Sequence, residues 1–563
     1  MFFRKISIAD MQQIGENMIK KNDEFVMTIE DMGTEGEGVG RIDGYTVFVK
    51  DAIPGDVAKI GITKPNKNFG FARLIEVVTP SKDRVKPVCP VARKCGGCQI
   101  QEMSYEAQLA FKEKKVRNNL SRIGKIAPES YEMCKIIGMD NPFHYRNKSQ
   151  FPVGKDKEGN IITGFFAGRT HSIIECDNCA IGDAINKDIL DIVKKHMRKY
   201  NIPAYDEKSH SGLVRHVLIR KGFTTGECMV CIVINGERIN ASDELVEELV
   251  KIHGMTSISL SVNRDKTNVI MGNQIIDLYG EGFITDYIGD VKFIISPLSF
   301  FQVNPVQTRE LYGKALEFAG LTGNETVWDL YCGVGTISLF LAKSAKKVYG
   351  VEIVPEAIED ARKNAKINEI DNVEFFVGKA EEVVPKMFKE QGICADVVVV
   401  DPPRKGCDQK LLETMVAMSP ERIVYVSCDS ATLARDLAFL ESEGYKVNAV
   451  QPVDMFPNSV HVETVVLLSQ RIADDYIEVE LELDELDVTR AESKATYAEI
   501  KEYVLKEYGL KVSNLYISQV KRKCGIEVGV NFNLSKSNDA KQPQCPKEKE
   551  EAIIEALKAF NMI

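Results

Sequence analysis

The stretch Val327-Trp328-Asp329-Leu330-Tyr331-Cys332-Gly333-Val334-Gly335-Thr336 runs from an apolar strand, Val327 to Leu330, through a glycine turn into a helix start, Ile337 to Lys343. A strand that breaks at paired glycines before a helix is the first half of a nucleoside-binding βαβ unit, because glycine lets backbone approach a ligand closely. The second strand, Lys347 to Val351, ends in Glu352, 17 residues after Gly335, where a carboxylate can take ribose hydroxyls. The form Asp329-x-x-x-Gly333-x-Gly335 lacks the third glycine of the dinucleotide fingerprint and suits S-adenosylmethionine better than NAD. Strands and helices alternate strictly from roughly Ile294, so residues 291–470 are expected to form a Rossmann-like α/β domain.

Three chemically useful residues fall at strand ends downstream. The run Arg422 to Ser427 reads as a buried parallel strand that ends on Cys428, followed by the helix start Ser430-Ala431-Thr432. The apolar strand Ala395 to Val400 delivers Asp401-Pro402-Pro403-Arg404-Lys405-Gly406, and His461-Val462-Glu463 precedes the strand Thr464 to Leu468. Parallel strands present their last residues at one sheet edge, and a final antiparallel strand presents its first residue there. Cys428, Asp401 and Glu463 are therefore expected to converge at the edge where open α/β sheets bind ligands. A cysteine in such a strand is by default a small buried hydrophobe, and only this company gives Cys428 a chemical role.

Working outward, residues 22–80 read as an OB-like β-barrel. The strands Phe25 to Ile29, Tyr45 to Val49, Val57 to Thr63 and Phe69 to Val78 are separated by turns such as Gly33 to Gly40 and Asp43-Gly44. Tyr45, Phe48, Phe69 and Phe71 could stack on RNA bases, although barrel filling is the default for each. The spacing Cys89-x5-Cys95-x2-Cys98, with Gly96-Gly97 at the turn, points to a metal site in a central α+β domain, 86–290, with Cys176 and Cys179 as candidate fourth ligands. Spacing does not separate zinc from iron–sulfur. Cys134, Cys228, Cys231, Cys394, Cys407, Cys524 and Cys545 show no such grouping.

Helix 101–122 carries Lys112, Lys114, Lys115 and Arg117, read as a solvated basic face, and is a candidate to pack on the catalytic domain. Phe143 to Lys148 and Leu213 to Arg220 interleave aromatic, apolar and cationic residues and are candidate RNA contacts or salt-bridged hairpin surfaces. The remainder, 471–563, reads as a small α+β module. It opens with the acidic alternation Tyr476 to Leu483, continues with helices near Tyr497 to Tyr508 and Lys547 to Phe560, and places Lys521-Arg522-Lys523 at a solvated strand end.

At 563 residues, with 44% hydrophobic and 27% charged residues, the chain is globular and has room for about three or four domains. No run of membrane-spanning length and no signal-peptide core is present, so a cytoplasmic protein is expected, in which 14 cysteines serve metal binding or chemistry rather than disulfides. A formal net charge of −10 does not favour nucleic acid as a partner, but local basic faces matter more than the total.

Taken together, Phe300-Phe301-Gln302-Val303-Asn304, Asp329 to Gly335, Asp401 to Gly406, Val426-Ser427-Cys428-Asp429 and His461-Val462-Glu463-Thr464 resemble the motifs of the RNA uracil-5-methyltransferases, a class I S-adenosylmethionine-dependent family, over about residues 22 to 470. The barrel looks like a TRAM domain, and with the cysteines it points to the branch that methylates 23S rRNA rather than tRNA. The resemblance implies Gln302, Tyr331, Glu352 and Asp401 as contacts to S-adenosylmethionine or substrate, Cys428 as nucleophile and Glu463 as base. It implies Cys89, Cys95, Cys98 and Cys179 as ligands of a [4Fe-4S] cluster, with Cys176 where the family usually has another residue. The expected partner is RNA, with no membrane, and the chain is expected to act as a monomer.

Overall fold

The computed structural model of the chain describes residues 19–471, 497–510, 512, 514–524, 526, 545–560 and 562–563. Met1–Asp475 and Tyr476–Ile563 form separate compact units. Among the described residues, no helix is long and apolar enough to cross a membrane.

Six strands build the barrel: β1 (Glu24–Thr28), β2 (Asp31–Met32), β3 (Gly38–Ile42), β4 (Tyr45–Lys50), β5 (Val57–Pro65) and β6 (Phe69–Thr79), in the order β1-β5-β6-β4-β3-β2. Alternation sends Val47 and Val49 inward to Met27, Ile29, Ala58, Ile60 and Ile62. The expected glycine turn Gly33 to Gly40 is partly strand β3, a correction with a steric cause. A Cβ on Gly40 would stand 2.4 Å from the carbonyl oxygen of Thr28, so glycine here permits close strand approach rather than a turn. Phe48, Phe69 and Phe71 do not fill the barrel. Their rings pack with centroids 5.6 to 5.9 Å apart along a surface cavity of about 500 Å³, and Phe69 is 39% exposed.

Helix α1 (Tyr105–Arg122), capped by Ser104, and the short strand β7 (Glu132–Met133) lead to the central sheet. That sheet contains β8 (Lys148–Lys155), β9 (Ile161–Phe166), β10 (Ile173–Glu175), β11 (Val214–Lys221), β12 (Cys228–Ile234), β13 (Met255–Val262) and β14 (Gln274–Tyr279), with α2 (Ile185–Lys199) and α3 (Ser242–Leu249) between them. Its order is β10-β9-β8-β11-β12-β13-β14. The cations of β11 are not an RNA surface. Arg215 and Arg220 are buried and donate to the carbonyl oxygens of Asn263 and Asp265, and of Ser299, because β11 lies inside the sheet with both faces covered. Burial likewise lowers the Lys148 amine to about 7.

A hairpin, β15 (Ile284–Ile288) and β16 (Val291–Ile295), and helix α4 (Pro305–Ala319) precede the last domain. There β17 (Thr326–Leu330), α5 (Thr336–Ala342), β18 (Lys347–Glu352), α6 (Pro355–Ile367), β19 (Val373–Val377), α7 (Ala380–Gln391), β20 (Val397–Val400), α8 (Gln409–Met418), β21 (Arg422–Ser427), α9 (Ser430–Ser442), β22 (Tyr445–Val453) and β23 (Glu463–Gln470) complete a doubly wound sheet. The order is β19-β18-β17-β20-β21-β23-β22-β7, parallel from β19 to β21. β23 runs antiparallel to both β21 and β22. Chain order reverses between β17 and β20, which opens the ligand crevice of such sheets beyond their carboxyl ends.

In the C-terminal unit, α10 (Tyr497–Tyr508), α11 (Asn514–Lys523) and α12 (Lys547–Ala559) pack around Ile500, Val504, Ile517, Val520 and Ile553. Lys521-Arg522-Lys523 form the last helical turn of α11 rather than a strand end, because Ile517, Val520 and Lys521 share its buried face. The alternation Tyr476 to Leu483 lies outside the described residues.

The basic face of α1 is also only partly solvated. Lys112 is fully buried and bonds to the fully buried Asp454, which also accepts a hydrogen bond of 2.9 Å from the Tyr105 hydroxyl. Burial lowers the Lys112 amine despite its partner. Replacing Lys112 by Ala leaves Asp454 without its countercharge and is expected to destabilise this unit by about 3–5 kcal/mol. The loss is to be read from the urea midpoint, and Lys112→Met with Asp454→Leu is expected to lose less.

Candidate active site

The crevice is built from strand ends. Leu330 ends β17, Tyr331 takes φ +68°, and Gly333 and Gly335 take φ +54° and +79° before α5 begins. Glu352, the last residue of β18, accepts the Gly333 N–H at 3.2 Å and the Val354 N–H at 3.0 Å, fixing the turn to the neighbouring strand. A Cβ on Gly333 would meet no protein atom within 4 Å, so the turn faces open space. Beneath it Asp329 is buried. Its Oδ2 accepts from Ser338, while Oδ1 has no hydrogen-bond partner in the protein. Open glycine backbone, the Glu352 carboxylate and an orphaned buried acceptor fit an adenosyl ligand.

Gln302 is buried beside the crevice, its backbone carbonyl oxygen accepting from Asn147 at 3.3 Å and its side chain near the Tyr312 hydroxyl, which shares a hydrogen bond of 3.0 Å with Thr336 Oγ1. Tyr331 is half-buried beside Asp408. Sequence reasoning gave neither partner a place here. Asn147 reaches Gln302 across 155 residues of chain, and a tyrosine in the middle of α4 reads as core.

Asp401 follows β20 and donates its N–H to the Leu330 carbonyl oxygen at 3.2 Å, which ties the β20 end to the β17 end at the reversal point of the sheet. The loop Pro402 to Gly406 is stitched to α9, where Thr432 Oγ1 donates to the Arg404 carbonyl oxygen at 3.0 Å and Arg435 to that of Lys405 at 2.9 Å. Cys428 follows β21, and Asp429 caps α9 by accepting the N–H groups of Ala431 and Thr432 at 2.9 and 3.1 Å. The β21–β23 register pairs Ser427 with Thr464, so its next step sets Cys428 opposite Glu463.

The electrostatics follow from burial. Glu463 is pushed up to about 8 by burial and then by the charge of Asp401, with Arg404 opposing. Burial also raises the Cys428 thiol to about 12, assisted by Glu463 and Asp401 and again opposed by Arg404. Asp329 and Asp401 both rise to about 7, chiefly through burial. His461 is lowered by burial and by the nearby cations Arg404, Lys115 and Lys112. Arg404 is thus the cation that favours ionisation of both Cys428 and Glu463.

The cysteines of the central region also approach one another. Cys95 Sγ accepts the Gly97 N–H at 3.3 Å, and Gly96 donates to the Phe166 carbonyl oxygen at 3.0 Å, which joins the cysteine turn to β9. Burial raises the Cys98 thiol to about 12, with added effects from Cys179, Cys95 and Cys89. Cys176, where the resemblance places another residue, is buried near Cys89 and lowers its thiol. Among the described residues, no group of three or more His, Cys, Asp or Glu side chains is arranged to hold a metal ion. The donor set is chemically suited to iron–sulfur or zinc, but its geometry is not that of a formed site.

Residues 104–471 match the family model for tRNA (uracil-5-)-methyltransferase, and residues 21–75 match that of the TRAM domain. The chain is 52% identical over 452 residues to an uncharacterized RNA methyltransferase of Clostridium tetani, spanning 80% of this chain and 97% of that protein. It is 51% identical over 453 residues to another from Clostridium acetobutylicum, spanning 80% and 98%. It is similar in structure to the tRNA (uracil-54, C5)-methyltransferase of Pyrococcus abyssi in complex with S-adenosyl-L-homocysteine. That similarity has a TM-score of 0.63 and 29% identity, and covers 79% of this chain and 99% of the other.

The raised carboxyls set a pH dependence of stability. The folded chain keeps protons on Glu463, Asp329 and Asp401 that the unfolded chain has lost, so stability falls as pH rises from about 4 towards about 8. Glu463→Gln removes one of these groups. Its stability relative to the unaltered chain is expected to improve steadily between about pH 4.5 and about pH 8, as read from urea midpoints in the absence of ligands.

Proposed function

The chain belongs to the tRNA (uracil-5-)-methyltransferase family, and from that premise we propose that it methylates C5 of a uridine in 23S rRNA through a covalent Cys428 adduct. The observation that carries this reading is the strand register that sets Cys428 opposite Glu463, at the sheet edge shared with Asp401 and the glycine turn. S-Adenosylmethionine supplies an electrophilic methyl group when bound, and Gly333, Gly335 and Glu352 are the residues to hold its adenosyl portion, with Gln302, Tyr331 and Asp401 lining its methyl end or the uracil.

C5 of uracil is a weak nucleophile. Once its proton has passed to solvent, the Cys428 thiolate adds to C6 and breaks the C5–C6 π bond; C5 is then electron-rich enough to take the methyl group, whose bond to the sulfonium sulfur breaks to release S-adenosyl-L-homocysteine. Arg404 favours the thiolate that this step requires. Glu463 then removes the C5 proton, the C6–S bond breaks, and the Cys428 thiolate is regenerated. A carboxyl raised to about 8 is mostly protonated at pH 7, so the elimination rate is expected to rise with pH towards about 8. The target uridine has to leave any stacked context to reach Cys428, as in base-flipping enzymes.

The barrel and the cysteine-bearing domain support rRNA as substrate, with Phe48, Phe69 and Phe71 as a platform for unpaired bases. In this reading Cys89, Cys95, Cys98 and Cys179 would hold a [4Fe-4S] cluster, which would keep the domain in shape, in a cytoplasmic setting where thiols stay reduced. The similarity to the Pyrococcus abyssi enzyme favours tRNA as the second reading.

Labelled S-adenosylmethionine offered with unmodified 23S rRNA and tRNA transcripts tests the proposal. Label is expected in 5-methyluridine of 23S rRNA and absent with Cys428→Ala, while label in tRNA alone selects the second reading. Glu463→Gln is expected to slow turnover about 10²- to 10⁴-fold and to leave protein–RNA adduct on denaturing gels.

A further inference from the structure

The loop of residues 454–462, between β22 and β23, carries the chain into Glu463, and several of its supports come from outside the catalytic domain. Asn458, at φ +69°, donates its N–H to Gln108 Oε1 at 2.9 Å, and its side chain donates to the Pro142 carbonyl oxygen at 2.9 Å. Its own carbonyl oxygen accepts the N–H groups of Gln99 and Ile100 at 3.1 and 3.2 Å. Two residues on, the Val460 N–H reaches Gln99 Oε1 at 3.4 Å, and the Val460 carbonyl oxygen accepts from Lys115 Nζ at 3.1 Å. Gln99 Nε2 donates in the other direction, to the Gly96 carbonyl oxygen in the cysteine turn, at 2.9 Å.

The barrel closes the same junction. A Cβ on Gly36, at φ +88°, would lie 3.0 Å from Val460 Cγ1 and 3.1 Å from Gln99 Cβ, and Val460 packs in a small apolar cluster with Ile53, Ile100 and Met103. Three parts distant in sequence therefore meet three residues before Glu463: a barrel turn, the cysteine turn and the catalytic loop.

We propose that Gln99 is a positioning residue for the base, holding the backbone of Asn458 and Val460 against the cysteine turn so that Glu463 enters β23 in reach of the C5 proton. The inference rests on the functional reading above, and it assigns the neighbour of Cys98 a task in the elimination step rather than in binding S-adenosylmethionine or forming the adduct. Small displacements of a reacting group cost large factors in rate, because alignment supplies much of the catalysis.

The test uses the full-length protein with 23S rRNA or tRNA transcript, whichever accepts label. Gln99→Ala is expected to lower kcat about 10- to 100-fold, with KM little changed and with protein–RNA adduct persisting as in Glu463→Gln. Gln99→Glu, which keeps an acceptor for the Val460 N–H but loses the donor to the Gly96 carbonyl oxygen, is expected to recover only part of the turnover. Wild-type turnover in Gln99→Ala overturns the inference, as does loss of adduct together with a lowered melting temperature in both variants. Adduct that survives in Cys428→Ala instead overturns the functional reading on which the inference rests.

Discussion

Insertion of β23 antiparallel between β21 and β22 decides where Cys428, Asp401 and Glu463 meet. A parallel strand in that position would deliver its first residue to the opposite edge of the sheet, far from Cys428. Running the other way, it places Glu463 beside the ends of β20 and β21, where Asp401 and Cys428 already stand. The same reversal obliges the chain to return over the ligand edge through the loop of residues 454–462, which has no regular ladder of its own to hold it. Side chains from α1, the cysteine turn and the barrel provide that support, so the amino-terminal half of the chain is bound mechanically into the active site.

The buried polar groups under this loop are costly and mutually dependent. Asp454 is satisfied by Lys112 and Tyr105, while its backbone carbonyl oxygen accepts from Gln307, and Asn304 bonds the Met455 carbonyl oxygen. Such a network favours one arrangement of the loop over near alternatives, because a shift that breaks one bond strands another charge or amide away from water. The acidic groups facing the crevice are different. Asp329, Asp401 and Glu463 have few protein partners, and burial raises all three carboxyls toward neutral pH.

The catalytic sheet was the most legible part of the sequence, because buried parallel strands read as unbroken apolar runs and the glycines and acids mark their ends. Even the antiparallel last strand could be anticipated from the position of Glu463 before an apolar run. Less legible were features set by long-range packing. The amine of Lys112 looks solvated in sequence because its helix is rich in cations, and only the tertiary fold brings Asp454 to it from 342 residues away. Arg215 and Arg220 look like phosphate ligands for a similar reason, since nothing local reveals that both faces of β11 are covered. The glycines of the barrel mislead in the other direction. Gly40 signals a turn by composition, whereas what it supplies is room for two backbones to pass.

Strand β7 has only two residues, yet it pairs along Ala449 and Val450 on the outer side of β22. An unpaired edge there would offer hydrogen-bonding groups and a valine-rich face to another chain, the usual route to edge-to-edge aggregation. The linker from α1 to the central domain thus doubles as a guard for the catalytic sheet. A catalytic domain excised at the start of its own nucleotide-binding unit would lose that guard, and its solubility would suffer along with its chemistry.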